Sequence, residues 1–254
     1  MDSGIGGLSV VEQVNALMPS EDIIYYADTL NFPYGSKSRE EVQELACQAA
    51  DWLLDRGAKI IVVACNTASS AALATLRNRF SAPFVGMVPA IKPASAATRS
   101  GKVGVIATKG TVQGQVLADL VAQFATGVDV FTRECPLLAE LVEQGEVKSS
   151  RVHTLLHQYL DPLIAQGIDY LVLGCTHYSF LRPAIEEIVG PKVSVVDAAL
   201  PVARQVQRVL TERDLLSARQ KPGSLTCHAT GDSRGFLEMA RRLCPGLCPK
   251  GATV

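Results

Sequence analysis

The 254-residue chain is poor in aromatic residues, at 6% with a single Trp, and has no excess of either charge: 24 Lys and Arg stand against 25 Asp and Glu. It therefore has neither the positive field that draws polyanions nor an acidic tail, and direct contact with nucleic acid is disfavoured. Long apolar runs are also lacking. Stretches such as Ile60 to Cys65 and Tyr170 to Leu173 fall far short of the ~20 residues that span a bilayer. Met1 to Val10 has no basic region followed by an apolar one, so no signal peptide is read there and the expected compartment is the reducing cytoplasm.

The seven cysteines are odd in number and follow no disulfide framework, so they are expected to be thiols. Cys175-Thr176-His177, Cys227-His228 and Cys244-x-x-x-Cys248 could each contribute zinc ligands. A structural zinc site, however, asks for paired motifs at regular separation, and none is present.

With 48% hydrophobic and 19% charged residues, a chain of this length can bury about 70 to 75% of its unfolded surface, as one large domain or two half-sized ones. Apolar β-rich runs recur at Asp22 to Tyr26, Lys59 to Ala64, Phe84 to Met87, Lys102 to Ala107, Val128 to Phe131, Tyr170 to Leu173, Val193 to Val196 and Leu225 to Ala229. Segments with helical spacing lie between them, for example Arg39 to Arg56 and Val152 to Gln166. This alternation predicts an α/β fold of parallel βα units. Runs without polar alternation, such as Ile60-Ile61-Val62-Val63, predict strands covered by helices on both faces.

One echo links the two halves. Lys-Ile-Ile-Val-Val-Ala-Cys65-Asn66-Thr67 and Asp-Tyr-Leu-Val-Leu-Gly-Cys175-Thr176-His177 each run from a buried strand through a small residue to Cys. Helices are predicted to follow at Ala68 to Phe80 and Arg182 to Val189, so the chain reads as two similar lobes. In open α/β sheets ligands bind beyond the carboxyl ends of strands, which is where Cys65 and Cys175 fall. A following helix N-terminus is expected to lower a thiol pKa and to favour a substrate carboxylate. Cys47, Cys135, Cys227, Cys244 and Cys248 lack this context and are expected to be structural or incidental.

A single Cys at a strand end is as readily a buried small hydrophobe. Two in matching contexts favour chemistry. A Cys175 nucleophile with His177 as base remains open, but it leaves Cys65 without a task. Two opposed thiols instead suit racemisation without a cofactor, one removing a proton from a carbon while the other delivers a proton to the opposite face.

Asp2-Ser3-Gly4-Ile5-Gly6-Gly7 is a polar, glycine-rich loop leading into a helix. It lacks the Lys-Ser/Thr of a Walker loop and the spacing of a dinucleotide fingerprint, and is better read as a polar cleft wall whose glycines admit close backbone approach. A strand is expected before such a loop, and Met1 leaves no residues for it, so that strand position is expected to be empty and Asp2 poorly held. Asp28 to Gly35 forms another loop at a strand end, followed by a capping-box spacing, Ser38 to Glu41. Thr108 and Thr111 are further hydroxyl candidates.

Together these motifs resemble those of the bacterial glutamate racemases, within the aspartate/glutamate racemase superfamily. The matching pieces are Asp2-Ser3-Gly-Ile-Gly-Gly, Pro33-Tyr34-Gly35, Ala64-Cys65-Asn66-Thr67-Ala68, Val88-Pro-Ala-Ile-Lys-Pro93, Thr108-Lys-Gly-Thr111 and Gly174-Cys175-Thr176-His177-Tyr178. Aspartate racemase is the nearest competitor. The resemblance implies that Cys65 deprotonates D-glutamate and Cys175 deprotonates L-glutamate, assisted by Asp2 and His177, with no PLP or metal. It implies substrate contacts from Asp2, Ser3, Tyr34, Gly35, Asn66, Thr67, Thr108, Thr176 and His177, and places Glu143 near His177.

The resemblance also implies a first lobe of residues 1–91 and 200–254, a second of 92–199, and an active site in the cleft between them. It admits a homodimer, and its D-glutamate product would feed peptidoglycan synthesis. Two departures are the family's first strand and the Asp-Ser or Asn-Ser usual after the Val193 strand, which here reads Asp197-Ala198. A binding or regulatory module, a role ascribed to some relatives toward DNA gyrase, is the second reading; thermal stabilisation by glutamate without turnover would mark it.

Overall fold

Helices and strands alternate along the chain in the computed structural model, which describes residues 1–247. The first stretch holds α1 (Leu8–Leu17), β1 (Ile23–Ala27), α2 (Arg39–Leu54), β2 (Ile61–Val63), α3 (Asn66–Arg79) and β3 (Phe84–Gly86). Next come α4 (Ile91–Ala97), β4 (Lys102–Ala107), α5 (Lys109–Val112), α6 (Gln115–Phe124), β5 (Asp129–Glu134), α7 (Leu138–Glu143) and α8 (Ser150–Ala165). The last stretch holds β6 (Tyr170–Gly174), α9 (Arg182–Val189), β7 (Ser194–Val196), α10 (Ala199–Glu212), β8 (Leu225–Ala229) and α11 (Ser233–Leu243). Among the described residues no helix is long and apolar enough to cross a membrane. Cys248 lies outside the described residues.

Strands β5-β4-β6-β7 form one parallel sheet. Its side chains divide by alternation. Ile106, Leu171 and Leu173 pack toward α7, α8 and α9, while Val103, Val105 and Val172 pack toward α4 and α6. The central strands β4 and β6 thus bury both faces, as their unbroken apolar runs predict. The edge strand β5 extends three residues past Phe131 because Thr132, Arg133 and Glu134 stay in register with Val105, Ile106 and Ala107. An exposed edge has no apolar pattern to announce those residues.

The other strands pair as β1-β8 and β2-β3, both parallel. Helices α2 and α3 cover one side of them, with Ile61 and Val63 in that core. On the other side α1 and α10 pack through Val10, Val202, Val206 and Leu210. The predicted capping box forms at the start of α2: Ser38 Oγ accepts from the Glu41 amide, and Glu41 Oε2 accepts from the Ser38 amide.

Met1 and Asp2 lie between β1 and β2 and bond to both. The Met1 amino group donates to Val62 O at 2.8 Å and the Ala64 amide donates to Met1 O. The Asp2 amide donates to Tyr26 O and the Asp28 amide to Asp2 O, both at 2.9 Å. The expectation that Asp2 is poorly held is therefore corrected: its backbone is laddered and its carboxylate accepts from the Ser3 and Gly7 amides at 2.7 and 2.5 Å.

Candidate active site

Cys65 and Cys175 each end a strand and open a helical segment. Cys65 follows β2 and caps α3, its Sγ accepting from the Ala68 amide at 3.4 Å. Cys175 follows β6 and precedes a 3-10 turn, Thr176–Leu181, that leads into α9. Both thiols line one cavity, Cys65 from the end of β2 in the β2-β3 sheet and Cys175 from the end of β6 in the four-stranded sheet. So do Ser3, Tyr34, Gly35, Asn66, Thr67, Thr108, Thr176 and His177. Asp2 does not line it; its carboxylate lies behind the wall, where Thr176 Oγ1 donates to it at 3.3 Å.

Three polar contacts bind the walls together: the Thr176–Asp2 bond, the Ile5 amide to Glu143 Oε1 at 2.6 Å, and Thr67 Oγ1 to Thr108 Oγ1 at 2.9 Å. Within one wall, His177 Nε2 meets Glu143 Oε1 at 2.7 Å. Thr111 joins the hydroxyl group, 3.2 Å from Thr108 and 3.4 Å from Thr67. Glycine is required where the walls approach most closely. A Cβ on Gly35 would lie 2.8 Å from Thr108 Cβ, and one on Gly6 would collide with Thr176 and the His177 ring.

His177 links the two sides of the chemistry. Its Nδ1 is 3.8 Å from Cys175 Sγ and its Nε2 meets Glu143. Burial opposes protonation of this imidazole, but its bonds to Cys175 and Glu143 prevail and hold it well above the ordinary histidine range.

The Cys65 thiol departs from the expectation of a lowered pKa. Burial pushes it well above the usual thiol range and the Asp2 carboxylate adds to the rise. A single amide donor at the helix start, Ala68, opposes this but does not offset removal from water. Burial likewise raises the Asp2 carboxyl, against His177 and the amides of Ser3 and Gly7.

Asn66 Oδ1 is buried without a hydrogen-bond partner, an acceptor in the wall of a polar cavity. The Tyr34 hydroxyl is already engaged, donating to Asp28 Oδ2 at 2.6 Å. Burial and the neighbouring Asp28 hold that phenol well above its ordinary range.

Phe32 and Ala139 also line the cavity, and nothing in the sequence singled them out. Phe32 packs against His177 with ring centroids 5.3 Å apart. Its adjacency to Pro33-Tyr34-Gly35 was the available signal. Ala139 is carried in by α7, whose preceding residue Leu137 takes a left-handed turn at φ 68°. A non-glycine residue in that region is a local feature that apolar patterning does not encode. The cavity is small, about 20 Å³, close to the space one water occupies. Cys65 and Cys175 are correspondingly 6% and 7% exposed.

The family model for Asp/Glu/hydantoin racemases matches residues 8–206. The chain is 47% identical over 244 residues to a glutamate racemase of Roseiflexus sp. (strain RS-1), covering 95% of this chain and 90% of that protein. Among solved structures it resembles a glutamate racemase isoform of Bacillus anthracis with a TM-score of 0.91 and 33% identity, covering 100% of this chain and 95% of the other. It also resembles the Escherichia coli glutamate racemase in complex with L-glutamate and the activator UDP-MurNAc-ala, with a TM-score of 0.85 and 32% identity over 95% and 92% of the two chains.

Proposed function

Because the chain belongs to the Asp/Glu/hydantoin racemase family and, within it, to the glutamate racemases, we propose that it interconverts L- and D-glutamate by a two-thiol mechanism without a cofactor. It is an isomerase, and its D-glutamate serves peptidoglycan synthesis. The observation that carries the mechanism is the pair of matching strand-Cys-helix junctions whose thiols line one cavity. In the L-to-D direction Cys175 takes the α-proton and Cys65 delivers its own to the opposite face of the planar carbanion. In the D-to-L direction the two exchange roles.

The resting protonation suits this division. Cys65, held high by burial and Asp2, is a thiol with a proton to give, and Asp2 assists it. Cys175 has His177 within 3.8 Å to donate a proton to its sulfur, and Glu143 fixes the ring. The unpartnered Asn66 oxygen accepts from the substrate ammonium. The hydroxyls of Ser3, Thr67, Thr108 and Thr176, with the backbone at Tyr34 and Gly35, take the carboxylates, where preorganised donors also stabilise developing enolate charge. Glutamate does not fit into about 20 Å³, so the walls part to admit it.

The division into lobes of residues 1–91 with 200–254, and 92–199, is supported by sheet membership: β1, β2, β3 and β8 fall in the first and β4 to β7 in the second. The cytoplasm is the compartment we assign, on the free buried cysteines among the described residues. Following the optical rotation of L-glutamate and of L-aspartate with purified protein tests the activity. Decay of the glutamate signal to zero with aspartate unchanged is expected. A folded protein that leaves L-glutamate unaltered contradicts it.

A further inference from the structure

The imidazole of His177 is buried among groups of two kinds. The first kind is charged or polar. Glu143 of α7 meets Nε2 at 2.7 Å, Cys175 Sγ lies 3.8 Å from Nδ1, and the Asp2 carboxyl is held down by the nearby ring charge. The glycine-rich loop crowds the edge between the two nitrogens: a Cβ on Gly6 would lie 2.5 Å from Nδ1, and one on Gly4 3.2 Å from Nε2. The second kind is a single aromatic side chain. Phe32, on the loop after β1, packs against the imidazole with ring centroids 5.3 Å apart and planes inclined at 45°.

Phe32 is held in that place from both sides in the sequence. Asn31 Nδ2 donates to Asp28 Oδ1 and Oδ2 at 3.0 and 3.1 Å, and the Tyr34 hydroxyl donates to Oδ2 at 2.6 Å. Asp28 is buried and also accepts from Thr230 Oγ1, just past β8, at 2.8 Å. The Leu30 amide in turn donates to Thr230 Oγ1 at 3.1 Å. One buried carboxylate therefore ties the residues before and after Phe32 to the β1-β8 sheet, which fixes where the ring between them points. The same loop carries Tyr34 and Gly35 on the cavity wall, so substrate contacts and the cover over His177 are set by one anchor.

We propose that Phe32 is a positioning residue for the racemisation assigned above, its ring lying against the imidazolium of His177 and keeping it charged, so that Nδ1 has a proton to donate to the Cys175 sulfur. Burial alone drives a histidine toward neutrality, and Phe32 is one of the groups that bury this one. An aromatic ring excludes water as an aliphatic side chain does, yet its negative face attracts a cation within about 6 Å of the centroid. The cover thus dries the site without discharging it. The bonds to Cys175 and Glu143, which hold His177 well above the ordinary histidine range, act in the same direction. Phe32 works through His177 and not on the reacting carbon.

The test follows the nitrogen shifts of the imidazoles against pH, without substrate, in protein labelled at its four histidines; His177→Gln identifies the His177 signals. Phe32→Leu keeps the position apolar and removes the aromatic face. It is expected to lower the His177 titration midpoint by about half a pH unit to one and a half, the range of a cation–aromatic contact. Phe32→Tyr is expected to restore the parent midpoint. A fluorinated phenylalanine at position 32 keeps the shape but weakens the negative face, and is expected to lower the midpoint as well. In the racemisation assay the alkaline limb of kcat moves down with the midpoint in Phe32→Leu and returns in Phe32→Tyr. A midpoint unchanged or raised in Phe32→Leu, or unchanged by the fluorinated ring, would overturn the role of Phe32. Because the titration needs no turnover, that result leaves racemisation itself to be judged by its own assay.

Discussion

Cys65 and Cys175 have nearly the same backbone conformation, φ −141°, ψ 121° and φ −142°, ψ 135°, each as the last extended residue before a helical segment. The two lobes thus present their sulfurs through one repeated junction. Cys65→Ser and Cys175→Ser are each expected to lower kcat by about 10²- to 10⁴-fold, the range a positioned acid or base supplies, while the far-ultraviolet dichroism stays that of the parent. A serine variant retaining more than a tenth of the parent rate would rule out a role for that sulfur as an acid-base group.

The His177–Glu143 pair makes stability depend on pH. The folded His177 pKa is raised above its ordinary 6.5, so the stabilisation is fully present below about pH 6.5 and is lost as pH rises through the folded value. Glu143→Gln removes the charge while keeping an oxygen for the Ile5 amide. The variant is expected to be less stable by about 1.5–3 kcal/mol near pH 6, with the gap closing in alkaline solution. Urea titrations at several pH values measure it. A gap that stays constant or widens with pH would refute the linkage.

Gly6 is the point where the glycine-rich loop passes closest to the opposite wall. A methyl group there meets Thr176 Oγ1 and the His177 ring, so Gly6→Ala is expected to cost about 1–3 kcal/mol in stability by overpacking. Its larger effect falls on kcat, because the residues it displaces are those beside Cys175. Unchanged kcat in a folded Gly6→Ala protein would show that the His177 ring need not keep this position.

Much of this arrangement was legible in the chain because burial writes itself in apolar runs. All eight runs became strands, and the Cys65 and Cys175 echo survives as a shared junction. What stayed hidden depends on neighbours remote in sequence. The polar end of β5 is strand only because β4 lies beside it, and Ala139 reaches the cavity through the turn at Leu137. The high Cys65 thiol illustrates the same limit. A helix start can be read locally, whereas burial and the proximity of Asp2, 63 positions away in the numbering, cannot. Asp2 itself is firmly held through bonds to Tyr26 and Asp28, partners that only the folded sheet supplies.

The central claim is that two different groups carry protons on opposite faces of the α-carbon. The most direct measurement follows L-glutamate in deuterium oxide at early times, reading the isotope at Cα in the D-glutamate formed and in the L-glutamate remaining. Deuterium in nearly every product molecule, with almost none in recovered L-glutamate, is the predicted result. Product that retains the substrate's own hydrogen, or recovered L-glutamate labelled as fast as product, would contradict it, because a single group would then be serving both faces.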